Sequence, residues 1–402
     1  MTDLPLRNAD RLARRRRPPG VLPVAAVLIS SPWLASPLSA QLQPGSAGAE
    51  LADATGEAIY AQSCANCHGL DGTGLAPSLV AFEEELPDFS DCDFAAREPD
   101  ADWIAVAHEG GPVRGFSEMM PAFRGALTEE QLGRVMGYIR TLCTDPNWPR
   151  GELNLPRALL TEKAYPEDEW VVEVGVDLER GGAVEAAYVY EQRFGPRSQV
   201  EVVIPYGWRS GGGGDEHEAE SDGGVTHGLG DVVLAVKHAL YHDLGKGTIV
   251  SLMAEAILPT GDEAAGFGAP GGEVEAFLAF GQILPADAFL QAQGGAAVPF
   301  REGAATEAFG RILLGRTWTE GKWGRVWSPM LEVQAKRDLE SGAPTRVDLV
   351  PQIQVALNTR QHVLANVGVV IPADREAGQR PPLRLVAYLL LDWFDGGFFE
   401  GW

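Results

Sequence analysis

Cysteine is scarce in this chain, with four among 402 residues. That is too few for a disulfide-dense scaffold. No second ligand pair at finger spacing follows Cys64 and Cys67, which excludes a structural zinc site. Basic residues are few as well: 32 Lys and Arg stand against 56 Asp and Glu, for a net charge of −24 at pH 7. A chain of that sign does not capture nucleic acid, because affinity for the phosphate backbone comes from cationic side chains. The N-terminal apolar stretch 21–29 is short, about half of what a membrane-spanning helix needs. No Ser-His-Asp order, phosphate-binding glycine loop or zinc signature is recognisable elsewhere, so the common hydrolytic and nucleotide chemistries have no candidate residues.

What is present begins with "QSCANCHGLDGTG", residues 62–74. Cys64, Cys67 and His68 form C-x-x-C-H, the spacing of covalent haem attachment. Two thiols so placed can add to the two vinyl groups of one haem, and the adjacent imidazole then falls under the iron as its proximal ligand. A redox dithiol is the rival reading, but it has no use for His68, and no thioredoxin-like βαβ pattern surrounds the motif. The cofactor expected is one covalently attached haem c.

Such attachment follows export. Arg11 and the run Arg14 to Arg17 make a basic region, the stretch 21–29 an apolar one, and "SPLSA" a small-residue cleavage site, so residues 1–40 read as a signal peptide. Its removal leaves 26 basic residues against 54 acidic ones. Cys92 and Cys143 remain once the haem has taken its pair. An even remainder in an exported protein predicts a disulfide between them, the alternative being two buried free thiols.

Helical spacing surrounds the motif. Residues 55–63 place Ile59 and Tyr60 on one side; "DADWIAVAHEG" opens a second helix after Pro99; residues 127–142 give a third, with Thr128 and Gln131 as a capping box and Leu132, Val135, Met136 and Ile139 in its apolar stripe. Between the last two lies "FSEMMPAFRG", where Met120 precedes Pro121. Its thioether on an extended loop is the natural distal ligand, with Met119 and His108 as rivals; His108 reads better as a solvated residue near a helix end. His/Met ligation raises the reduction potential and leaves no coordination site for a substrate, which favours an electron carrier over an enzyme. These features, C-x-x-C-H at 64–68, M-P-A-F at 120–123 and the closing helix "TEEQLGRVMGYIRTL" with Tyr138, resemble a class I monohaem cytochrome c over residues 53–145. The resemblance implies a small all-α domain whose first and last helices cross near Tyr60 and Tyr138.

Residues 146–169 are loop-like and rich in Pro, and read as a linker. From Trp170 the pattern alternates. Trp170, Val172, Val174, Val176 and Leu178 take one side, and Glu173, Gly175, Asp177 and Glu179 the other. The period recurs in "AVEAAYVYEQRF" and "QVEVVIPYGW", and further segments start near Asp231, Thr248, Val274, Ala288, Thr306, Arg325, Arg346, His362 and Leu383. About twelve segments fit an antiparallel transmembrane β-barrel over residues 170–402. A soluble β-sandwich alternates too. Against it stand the aromatics at segment ends (Tyr206, Trp208, Trp318, Trp393, Phe394), the mix of long polar loops with short turns, and the aromatic terminus at Trp402. "GLGDVVLAVKHAL" and "AEAILPTGDE" are similar to the outer-membrane barrel family of meta-pathway phenol-degradation or transporter-like proteins.

The longest loop gathers Asp215, Glu216, His217, Glu218, Glu220 and Asp222. It could hold a cation, but its glycine run reads better as a flexible acidic surface. The whole chain thus reads as a cytochrome c domain followed by an outer-membrane barrel, whose lumen is too narrow to house the domain, so that the haem sits in the periplasm or at a barrel mouth. The fusion resembles cytochrome–porin proteins that oxidise iron at the cell surface, which implies electron transfer at or across the outer membrane from a donor such as Fe(II). The alternative is a transporter or anchor barrel tethering a periplasmic cytochrome. A peroxidase-like haem is the weakest reading. Expected partners are redox proteins or an extracellular electron donor, with outer-membrane lipid around the barrel.

Overall fold

The computed structural model describes residues 51–80, 86–178, 182–210, 225–373 and 382–393. The expected signal peptide, the acidic cluster at 215–222, Phe394 and Trp402 lie outside the described residues. The first part is helical: α1 Gly56–Ser63, α2 Ala65–His68, α3 Pro77–Val80, α4 Cys92–Ala95, α5 Asp100–Glu109 and α6 Glu129–Ile139. The strands follow as β1 Glu169–Asp177, β2 Val184–Phe194, β3 Ser198–Ser210, β4 Val233–Asp243, β5 Thr248–Ile257, β6 Glu273–Ile283, β7 Ala288–Pro299, β8 Glu307–Arg316, β9 Val326–Asp338, β10 Arg346–Ala356, β11 Val363–Pro372 and β12 Arg384–Asp392.

Each strand pairs antiparallel with the next, and β12 returns to β1 from Glu169 against Asp392 to Asp177 against Arg384, closing a twelve-stranded barrel. Two short pieces extend it: Val225–Leu229 continues β4 along β3, and Trp318–Thr319 lengthens the β8–β9 hairpin. The segment expected to start near Asp231 is therefore split. Opposite the break, Pro205 has no N–H for the ladder, and a side chain on Gly230 would meet the Pro205 ring at 3.1 Å. The other strand starts fall at or next to the positions that period-two alternation gives, because one-residue slips would turn every side chain to the wrong face.

Those faces are the inverse of a soluble protein's. On β4, Leu234, Val236 and Leu240 are exposed while Lys237 between them is buried; on β9, Leu331 and Val333 are exposed while Glu332 is fully buried. An apolar exterior around a polar interior matches hydrocarbon outside and is the alternation of a transmembrane barrel. Strands of 9–13 residues are long enough to span when tilted. Aromatic pairs gather at both ends, Trp170 with Tyr188 and Tyr190 with Trp393 at one, Tyr206 with Trp208 at the other.

Residues 146–169 join the two parts without running free as a linker would. They enter the barrel and fill its lumen. Leu153 and Tyr165 pack on Ala235, Ile249, Met253 and Phe277, and Leu159 packs on Val171 and Val350. A segment without helix or strand leaves its backbone groups unpaired, which is costly when buried. Lumenal side chains pair them. Gln352 accepts from the Leu159 amide at 3.0 Å, Gln293 from Glu162 at 2.6 Å and Gln199 from Glu167 at 2.7 Å, while Gln291 donates to the Pro156 carbonyl at 2.8 Å and Tyr388 to that of Arg157 at 2.8 Å.

Charge is matched in the same way. Arg157 forms a hydrogen-bonded ion pair with Glu191 and lies 3.5 Å from Glu169, 3.6 Å from Glu173 and 3.9 Å from Glu162. Lys163 holds Glu167 and Glu169, each at 2.6 Å. Removing one partner of a buried pair leaves the other charge uncompensated, at about 3–5 kcal/mol. Arg157→Ala is therefore expected to lower the unfolding free energy of the detergent-solubilised protein by that order, read from its denaturant midpoint, whereas Lys246→Ala, at a surface pair whose lysine is 70% exposed, should change it little.

Candidate haem site

The site is built on a helix crossing. Thr55 caps α1, its hydroxyl accepting from the Ala58 amide at 3.2 Å, and the capping box Thr128–Gln131 starts α6 as its sequence predicts. The two helices approach so closely at Gly56 that a Cβ there would lie 2.0 Å from the Arg134 carbonyl. Only glycine allows that contact. Tyr60 and Tyr138 meet beside it with ring centroids 5.2 Å apart, and the Tyr60 hydroxyl donates to the Gly69 carbonyl at 2.8 Å, pinning the turn that carries the C-x-x-C-H residues.

Cys64 caps α1, and α2 ends at His68, whose amide donates to the Cys64 carbonyl at 3.0 Å. Cys64 and Cys67 are free thiols, whereas Cys92 and Cys143 are bridged. Burial, with Cys67 adding to it, pushes the Cys64 thiol up to about 11. A redox dithiol works through a depressed thiol pKa, so this environment disfavours that rival reading. Burial also lowers the His68 pKa and keeps its imidazole neutral, the form with a lone pair for a metal. Among the described residues His68 Nδ1 is buried without a hydrogen-bond partner, and the ring stacks on Phe89 at 5.0 Å.

A second wall comes from α5 and the chain beyond it. Gly110, at φ +91, reverses the backbone. The Gly111 amide then donates to the Met120 carbonyl at 3.0 Å, and the Phe123 amide to that of Ala107 at 3.0 Å. This lashes the Met120 loop to the end of α5. Met120 packs on the domain core, while Met119, which also reaches the cavity, is 57% exposed. His108 points elsewhere: its Nδ1 lies 2.9 Å from Glu109, its ring faces Trp323, and it is not part of the cavity wall.

Cys64, Cys67, His68 and Met120 thus line one cavity of about 570 Å³ whose walls are largely apolar, with Phe89, Phe94, Trp103 and Val106 among them. Arg140 lies 4.1 Å over the Trp103 ring and bonds Asp100 at 2.8 Å, securing that wall. The residues fit a haem: two free thiols, a neutral buried imidazole and a thioether converge on a space of ligand size. Sequence reasoning missed Arg114, Arg360 and His362, which also line the cavity. The last two belong to the β10–β11 turn and carry no local signal of their role.

The site and fold define a c-type cytochrome domain followed in the chain by a closed β-barrel. Residues 51–139 match the family model for cytochrome c oxidase, cbb3-type, subunit III, and this part of the chain is a c-type, haem-binding cytochrome domain. Solved structures similar to the chain include an outer membrane channel from Pseudomonas putida F1 (13% identical, covering 59% of this chain and 99% of that one, TM-score 0.41). They also include the NanC porin (6%, 56% and 98%, 0.39) and LpxR from Salmonella typhimurium (8%, 56% and 99%, 0.35). No curated protein matches. Strand pairing, not these distant likenesses, defines the barrel.

The cysteine assignment predicts a specific digest. Non-reducing mass mapping of the holoprotein should recover one peptide pair joining Cys92 to Cys143 and haem on the Cys64–Cys67 peptide. Alkylation of Cys92 or Cys143 without reductant would contradict it.

Proposed function

We propose that the protein transfers electrons at the bacterial outer membrane through one haem c. Cys64 and Cys67 attach it, His68 and Met120 ligate its iron, and the haem supplies a one-electron centre. The chain's own contribution would be to enclose that centre in a largely apolar cavity and fix its position. With His68 and Met120 both available to hold the iron, the site would suit electron exchange rather than substrate chemistry.

The observation that carries the reading is the mount. Half-buried Arg97 pairs with Asp168 at 2.5 Å, His362 bonds Glu98 at 2.9 Å, and Arg114 donates to the Trp323 carbonyl at 2.8 Å, contacts that support a haem domain seated on one barrel mouth. The turns at that mouth, 195–197, 244–247, 284–287, 317–325 and 357–362, run from three to nine residues, whereas the longest described connection, 258–272, lies at the other. Outer-membrane barrels keep short turns in the periplasm and long loops outside. This supports a periplasmic haem domain exchanging electrons with periplasmic redox partners.

The filled lumen favours a fixed mount over an open transporter. Beyond Leu159 and Leu160 a cavity of about 720 Å³ opens towards the long loops, lined by Glu173, Glu185, Asp348, Lys336 and Arg384. An extracellular donor such as Fe(II) is the extended reading: it would meet this vestibule first, and its electron would have to pass the plug to a single haem.

Met120→Ala should remove the Met-to-iron charge-transfer absorbance and lower the reduction potential, while Met119→Ala keeps both. The opposite result reassigns the ligand. An epitope at Gly303 should bind antibody on intact cells, and one in the cytochrome domain only after the outer membrane is permeabilised; the reverse pattern overturns the periplasmic assignment. Proteoliposomes with chelated Fe(II) outside and an impermeant acceptor trapped inside test the extended reading, which fails if the acceptor stays oxidised while the haem itself still titrates.

A further inference from the structure

The haem cavity is not walled by the cytochrome domain alone, since Arg360 and His362 reach it from the β10–β11 turn of the barrel. The other charges beside them are committed. Arg114, 5% exposed, pairs with Asp102 through Nε at 2.8 Å and Nη2 at 2.7 Å and gives Nη1 to the Trp323 carbonyl. His362 and Glu98 are bonded to each other. Burial, reinforced by Glu98, raises the Asp102 carboxyl against the pull of Arg114.

Arg360 differs. Among the described residues no ion pair to it is present; its guanidinium carbon lies 4.7 Å from the Phe116 ring centroid. Gly115, at φ +73, passes close alongside, so that a Cβ there would lie 3.7 Å from Arg360 Cγ. A planar cation held half-buried on an aromatic ring, at the wall of a largely apolar cavity whose other charges are already paired, is placed for an anion and matches a carboxylate in shape. A haem brings two carboxylates, its propionates, which are the ionised groups of a largely apolar macrocycle. A carboxylate taken out of water requires a cation or donors.

We propose that Arg360 binds a haem propionate, so that the barrel completes the cofactor site of the domain seated on it. The assignment rests on the haem reading above. Reduction adds one negative charge to the haem, and a cation fixed at its propionate favours that charge. Arg360 therefore raises the potential, and the barrel takes part in setting it.

The test uses the full-length holoprotein as wild type, Arg360→Gln and Arg360→Lys. Covalent haem and the Met-to-iron band are expected in all three. The propionate bending band in resonance Raman spectra should shift in Arg360→Gln and return towards wild type in Arg360→Lys, and the midpoint potential should fall in Arg360→Gln and recover in Arg360→Lys. A merely structural role would not follow charge in this way. A propionate band unmoved by Arg360→Gln overturns the assignment whatever the potential does. Absence of covalent haem from the wild type would instead overturn the underlying haem reading.

Discussion

The rest of the structure depends on one constraint: residues 151–168 have almost no secondary structure of their own and are nonetheless buried in a barrel. Backbone amides and carbonyls in that position need partners, and water cannot supply enough of them once Leu153, Leu159 and Tyr165 have filled the space. The strands provide them through glutamines, Gln199, Gln291, Gln293 and Gln352, each of which can donate and accept. Arg157 and Lys163 then neutralise the carboxylates that the strands also turn inward. The plug and the lumen are complementary surfaces, and neither is stable in this form without the other.

The seat of the cytochrome domain follows from the plug. The chain leaves the domain at Trp148 and Pro149 and is already held there. Arg193 of β2 stacks between Trp148, at 4.8 Å, and Tyr165 of the plug, at 5.3 Å, and Tyr165 donates to the Pro149 carbonyl at 3.2 Å. So short a tether leaves the domain little choice of position, and the ion pairs select its orientation. The exposed pair Lys322–Glu129 adds little, on the order of 0–1 kcal/mol. Arg97–Asp168 and Glu98–His362 are mostly buried and act more through specificity: any other docking would leave charges buried without partners.

Local features were legible in the sequence and long-range ones were not. C-x-x-C-H, the capping box at Thr128 and the Met-Pro step each state their chemistry within a few residues. Period-two alternation located the strands because each turns an apolar face outward and a polar face to the lumen. The plug was read as a linker because its Pro-rich composition has no period; its burial comes from Gln293 or Gln352, more than a hundred residues away. His108 shows the converse. A helical histidine near a haem motif is a fair candidate ligand, yet the Glu109 carboxylate and Trp323 of the barrel turn it from the cavity. Arg360 had no signal at all, since only the closed barrel brings its turn against Phe116.

A cytochrome docked this way trades reach for definition. A free cytochrome presents every face to its partners, whereas here the face carrying Glu98, Asp102, Arg114 and Phe116 is turned to the barrel and lost to them. A redox partner of the kind proposed above would approach from the sides of the domain that remain in solvent. Glu130 at the start of α6 is exposed, and the chain carries a net charge of −24. Long-range steering by such a field would favour a basic partner in that reading and weaken with salt. The barrel thus decides which surface of the domain is available, and the chain's charge decides what that surface attracts.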